Sequence, residues 1–119
     1  MLLNLSNHHS TQWPAEQRIM AEHEFGSILD IPFPAIDPQW PLDRVRMEAE
    51  KYFNQIRKEA SEQVLTVHLM GEMTFCFLLL NMLSECGIPA VASTTHRIVN
   101  LDNGVKTTHF EFAGFRSYY

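Results

Sequence analysis

The residues best suited to chemistry fall in three short runs. Ser6-Asn7-His8-His9 offers a hydroxyl, an amide and two imidazoles in succession. An imidazole near its unperturbed pKa of about 6.5 can serve as acid, base or phosphate donor. Gly71-Glu72-Met73-Thr74 has the form of a strand-to-helix turn. There the glycine would let backbone approach a ligand closely, and the first N–H groups of a helix, carrying about half a positive charge, would hold phosphate. Glu72 would repel phosphate unless it met a ribose hydroxyl or a base edge. Ser93-Thr94-Thr95-His96-Arg97 places three hydroxyls before two side chains able to carry positive charge, a set suited to ribose or phosphate.

Other chemistries lack their signatures. No Gly-x-Gly-x-x-Gly fingerprint, phosphate-binding Gly-Lys loop or Gly-x-Ser-x-Gly elbow occurs. The histidines and the two cysteines, Cys76 and Cys86, show no metal-ligand spacing, so neither metal nor cofactor is expected. Both cysteines are read as reduced core thiols, since ten residues of helix, about 15 Å, separate them.

The elements that must position these runs alternate. Met1–Ser6 reads as a first strand. A helix follows, opening near Pro14 and ending at Gly26, with Ile19, Met20, His23 and Phe25 roughly on one side. Ser27–Phe33 reads as a second strand, stopped by Pro32 and Pro34. From Leu42 to about Glu62 the stripe Val45, Ala49, Tyr52, Phe53, Ile56, Ala60 predicts an amphipathic helix. Val64–Met70 is a third strand. Met73–Glu85 is a helix apolar nearly all round, which must therefore be covered on more than one side, by the sheet, by a second subunit or by both. Ile88–Ser93 is a fourth strand continuing toward Asn103-Gly104, the strongest short hairpin signal. Val105–Phe115 returns antiparallel, with Thr108, Phe110 and Phe112 on one face. In a two-residue turn, residues whose numbers sum to 207 face one another, pairing His96 with Glu111, Arg97 with Phe110 and Ile98 with His109.

These elements predict an α/β protein, a Rossmann-like three-layer sandwich with a mostly parallel sheet of order 2-1-3-4 and a C-terminal antiparallel hairpin strand. Ligands of such sheets bind where strand order reverses, at the carboxyl ends of strands one and three. With 119 residues, 45% of them hydrophobic and 19% charged, the chain suits one domain over residues 1–119. A net charge of −5 argues against a general DNA or RNA binder. The start lacks the pattern of a signal peptide and no apolar run is long enough to span a bilayer, so a cytoplasmic protein without membrane contact is expected.

Leu3-Asn4-Leu5-Ser6-Asn7-His8 and Val67-His68-Leu69-Met70-Gly71-Glu72-Met73-Thr74-Phe75, with the closing hairpin, give the chain a resemblance to the small stand-alone CARF-type proteins of type III CRISPR systems, the cyclic-oligoadenylate binders and ring nucleases. The resemblance implies a homodimer holding a cyclic oligoadenylate across its two-fold axis. Some members cleave it without metal by directing a ribose 2′-hydroxyl at the adjacent phosphate. Carried over, Ser6, Asn7 and His8 and the helix start Gly71–Thr74 would hold ribose and phosphate. Taken with the residue types above, Ser6 and His8 are the candidates for the chemistry, and Asn7, His9, Gly71, Glu72, Met73, Thr74, Thr94, Thr95, His96 and Arg97 those for binding the ligand. On the residues alone, two other readings stay open. One is a regulatory or interaction domain that binds a mononucleotide or a protein partner without chemistry. The other is a small metal-independent hydrolase or transferase using His8 or His96 as base.

Overall fold

In the computed structural model, which describes residues 1–119, strands and helices alternate through three βα units and end in a hairpin. The strands are β1 (Leu2–Ser6), β2 (Ile28–Asp30), β3 (Thr66–Met70), β4 (Ala90–Asp102) and β5 (Val105–Ser117). The helices are α1 (Ala15–Phe25), α2 (Leu42–Glu62) and α3 (Met73–Glu85), with a short 3-10 turn at Ser10–Gln12. Sheet order is β2-β1-β3-β4-β5, parallel except for the β4–β5 pair. This is the expected α/β architecture, and the strand order reverses at β1 as expected.

Side chains alternate across the pleat, so β1 serves two cores. Leu3 and Leu5 join Val67, Leu69, Phe75, Leu79, Leu83 and the α2 stripe Val45, Ala49 and Ile56. Leu2, on the opposite face, packs with Trp13, Ala21 and Val91, and Phe25 and Phe115 close that smaller cluster. Thus α2 and α3 cover one face of the sheet and α1 the other. The inward side of α1 differs from expectation. Gln17 and Ala21 are its buried residues and Ile19 faces out, because the layer above the sheet here is one helix against Trp13 and Phe115 rather than a wide apolar bed.

Several boundaries move. β2 is only three residues long, and its expected continuation through Pro32 and Phe33 is loop, since Pro32 has no N–H for a ladder. β3 starts at Thr66, leaving Val64 exposed. Cys76 is buried, its thiol pushed up to about 11 by desolvation, with the Glu72 charge adding to the effect. Cys86, contrary to expectation, is exposed at the end of α3. α3 itself is covered on one side only. Phe75, Cys76, Leu79 and Leu83 are buried, whereas Met73 is 82% and Phe77 64% exposed. No helix is long and apolar enough to cross a membrane.

β4 pairs with β3 at only two positions, Ala90 and Val91. Beyond them β4 and β5 leave the sheet as a two-stranded arm turning at Asn103 (φ 50°) and Gly104 (φ 77°), both left-handed as a type I′ turn requires. The sum-to-207 register holds from Asp102–Val105 down to Thr95–Phe112, where a bulge shifts it so that Thr94 faces Gly114. The arm stretches the molecule to 52 × 38 × 24 Å. Its radius of gyration is 16.0 Å, against about 13–14 Å for a compact chain of this length.

Candidate functional site

Two polar residues stand in the middle of otherwise apolar parallel strands, Asn4 in β1 and His68 in β3, and the register sets them side by side on the α1 face. Buried polar groups must find partners, and Asn4 finds four. Its Nδ2 donates to the His8 carbonyl (2.9 Å) and to Asp30 Oδ1 (2.7 Å). Its Oδ1 accepts from the Ser6 hydroxyl (2.8 Å) and the His68 Nδ1–H (2.9 Å). The amide orientation follows from these partners, because only an acceptor carboxylate and a carbonyl lie on the nitrogen side.

Asp30, the last residue of β2, extends this network. Its Oδ1 accepts from the Ser10 N–H (2.8 Å) and its Oδ2 from the Ser10 hydroxyl (2.6 Å), with His9 Nε2 3.4 Å away. Burial pushes its carboxyl up. The hydrogen bonds from Ser10 and Asn4, together with His9, outweigh that and hold it below the usual carboxylate range. The loop after β1 is therefore lashed to β2 and β3 by side chains.

His68 is the end of the chain of bonds. Burial lowers its pKa to about 4, so the ring is neutral at pH 7. With the proton on Nδ1, the Nε2 lone pair has no partner. Trp13 and Phe115 set their rings edge-on to it, with centroids 5.1 and 5.7 Å away.

Two clefts open at the carboxyl ends of the strands. The central cleft, about 420 Å³, lies at the strand-order reversal between β1 and β3. Its walls include Ser6, Asn7, His8, Gln12, Trp13, Gln17, His68, Gly71 and Ser93, and no carboxylate, lysine or arginine. The edge cleft, about 360 Å³, lies between β1 and β2, with Asn4, Asn7, His9, Asp30 and Phe33 in its walls. The ionised Asp30 makes this cleft a poor place for phosphate.

The expected residues divide accordingly. Ser6, Asn7, His8 and Gly71 meet at the central cleft. The Ser6 hydroxyl donates within the chain, to Asn4 Oδ1 and the His8 carbonyl, so it shapes the loop. The His8 imidazole is exposed on the cleft wall. His9 belongs to the edge cleft, where its Nδ1 accepts from the Thr11 N–H and caps the 3-10 turn. The α3 start is not an open anion site. Glu72 accepts from the Thr74 N–H (3.1 Å), the Phe75 N–H (2.8 Å) and the Thr74 hydroxyl, so its own carboxylate occupies the donors expected for phosphate. Met73 points to the outer face of α3 instead. At Gly71 the space a Cβ would take is filled by the Phe33 ring, 2.3 Å from that position, so packing alone accounts for the glycine. Thr94 donates to the Gly114 carbonyl. Thr95, His96 and Arg97 ride out on the arm and line neither cleft, because β4 continues straight past the sheet.

Asn4, Asp30, His68, Gln12, Gln17 and Trp13 were not anticipated. Ser93 does reach the cleft, where its hydroxyl donates to the Met70 sulfur (2.9 Å), a weak acceptor that a ligand oxygen would outcompete. No group of three or more His, Cys, Asp or Glu side chains is placed to hold a metal ion.

A family model described as the Uncharacterized protein MJ1673 family matches residues 1–116. No curated protein and no solved structure matches the chain.

Proposed function

The chain belongs to the uncharacterized MJ1673 family, and we propose that it binds a cyclic oligoadenylate in the central cleft and opens the ring without a metal, as part of type III CRISPR antiviral signalling. The observation that carries this reading is the chemistry of the cleft. It is polar yet uncharged, it sits at the strand-order reversal where open α/β sheets take nucleotides, and its amides, hydroxyls and imidazole suit ribose, base edges and phosphate without repelling them.

In this reading Asn7, Gln12, Gln17 and Ser93 orient the ligand. His8, held by two hydrogen bonds to its carbonyl, presents its imidazole as general base. The imidazole removes the proton of a ribose 2′-hydroxyl. The oxygen attacks the neighbouring phosphorus, the 5′-oxygen leaves and takes up a proton, and the ring becomes a linear oligoadenylate ending in a 2′,3′-cyclic phosphate. Holding attacking oxygen, phosphorus and leaving oxygen in line is the protein's main contribution. A second copy covers the outer face of α3, placing two clefts about one two-fold axis and sheltering Met73 and Phe77.

Incubating the protein with radiolabelled cyclic tetra- and hexa-adenylate, with and without EDTA, tests the reading. The expected product carries a 2′,3′-cyclic phosphate and forms equally with EDTA, and His8→Ala slows it by about a hundredfold. Tight binding without product makes the protein a reader of the signal. With neither binding nor product the reading fails, and a protein-interaction domain takes its place.

A further inference from the structure

The β4–β5 arm has two unlike faces. Alternation from Val91, which packs under α1, puts Ser93, Thr95, Arg97, Val99 and Leu101 on the α1 side. Their register partners on β5 are Phe115, Phe112, Phe110, Thr108 and Lys106. Beyond the bulge this face carries the charges of Arg97 and Lys106 and no carboxylate. The reverse face carries Asp102 and Glu111. In a chain of net charge −5 this is a pronounced local separation.

The bulge creates the aromatic part of the pattern. Phe112 and Phe115 are three residues apart and would face opposite ways on a regular strand. The extra residue, Ala113, returns both to the α1 side with centroids 5.1 Å apart. Phe115 in turn lies 6.4 Å from Trp13 and 5.7 Å from His68 in the central cleft. A continuous line of rings therefore runs from the cleft wall out to Phe112. Phe110 comes next, 64% exposed. Side chains two apart on a strand are about 6.8 Å apart, room for one planar base between them.

We infer that the α1-side face of this arm is a stacking surface for adenine bases of the ligand that lie outside the cleft, with Phe110 and Phe112 taking bases and Arg97 and Lys106 the phosphates between them. The inference rests on the nucleotide reading of the central cleft and extends it. One nucleotide occupies the cleft, and the arm reads how many follow. Aromatic side chains set among cations on an exposed strand face are how single-stranded nucleic acid is held without base-edge contacts. This also gives Thr95 and Arg97 a place in recognition that the cleft does not.

The test is calorimetric titration of the parent, Phe110→Ala, Phe112→Ala and Arg97→Ala with three probes: AMP, cyclic tetra-adenylate and linear hexa-adenylate. Because Phe110 and Arg97 are exposed, these variants are expected to melt with the parent, which a thermal scan checks. Each phenylalanine variant is expected to lose about tenfold or more in affinity for the oligoadenylates and nothing for AMP. Arg97→Ala should also flatten the salt dependence of oligoadenylate binding by roughly 0.7 in log–log slope. Equal binding of cyclic tetra-adenylate by all variants overturns the inference and leaves the cleft reading standing. If the parent binds neither AMP nor cyclic tetra-adenylate, the cleft reading fails. Linear hexa-adenylate then decides the arm alone, and no binding, or binding unchanged by Phe110→Ala, overturns it too. Unchanged binding together with conversion of a dimer to a monomer makes the face a contact between copies, which also overturns it.

Discussion

When the pH falls from 7 to 5, the unfolded chain protonates His68 at about its ordinary value of 6.5, whereas the folded chain keeps that ring neutral down to about 4. Stability from this group is therefore complete above the unfolded value and is lost as pH falls through the window between the two. A gap of about 2.5 units at about 1.36 kcal/mol each gives about 3 kcal/mol in all, of which about 2 kcal/mol disappears between pH 7 and pH 5. Asp30 and Glu72 are both held below the usual carboxylate range, so their contributions are lost only at lower pH and leave this window to His68. For a domain of this size the loss amounts to a melting temperature about 8 °C lower. Denaturant midpoints at a series of pH values, for the parent and for His68→Gln, measure it. The glutamine can still donate to Asn4 but does not titrate, so the difference between the two curves isolates the histidine. The reasoning is refuted if the two proteins lose stability in parallel, or if the His68 ring titrates near 6.5 by NMR.

Three further outcomes follow from the site geometry. Asp30→Ala removes one of the two acceptors of the Asn4 amide and the acceptor of both Ser10 donors. It should cost about 2–4 kcal/mol, since each hydrogen bond to a charged group contributes about 1.5–3 and the site is partly solvated; denaturant unfolding at pH 7 checks it. Gly71→Ala drives a methyl into the Phe33 ring, which must leave its edge-on contact with Phe75 at 5.2 Å. A loss of about 1–3 kcal/mol is expected in thermal unfolding, so this variant reports on folding before ligand binding. On the proposed dimer, Phe77→Lys charges the outer face of α3, so the mass by light scattering at micromolar concentration should fall from twice the chain mass to one, with the melting temperature lowered by the lost association.

The fold was largely legible because its strongest signals are local. The α2 stripe from Val45 to Ala60 repeats over more than four turns, and Asn103-Gly104 fixes the register of eight arm pairs by turn geometry alone. The candidate cleft was legible in place but less so in its lining. Ser6, Asn7 and His8 follow directly from the strand-order reversal. The network that holds them joins Asn4 to Asp30 and His68, 26 and 64 residues away, and exists only once three strands are in register. Its signal was present as single polar residues inside apolar strands, in Leu2-Leu3-Asn4-Leu5 and Val67-His68-Leu69, each of which has to be buried with a partner. The α3 start misled because Glu72, which reads as a charge at the mouth of a site, turns back to cap its own helix. Thr94 to Arg97 do not line the cleft where they were expected, because nothing local says that β4 leaves β3 after two pairs.

The central claim is that nucleotide binds between β1 and β3, and backbone NMR during titration with cyclic tetra-adenylate tests it most directly. The amides of Ser6, Asn7, His8, Gln12, Gly71 and Ser93 are predicted to shift together and saturate at one stoichiometry, while those in the middle of α2 stay still. Saturating shifts confined to α2 and the outer face of α3, or none at millimolar ligand, would contradict it.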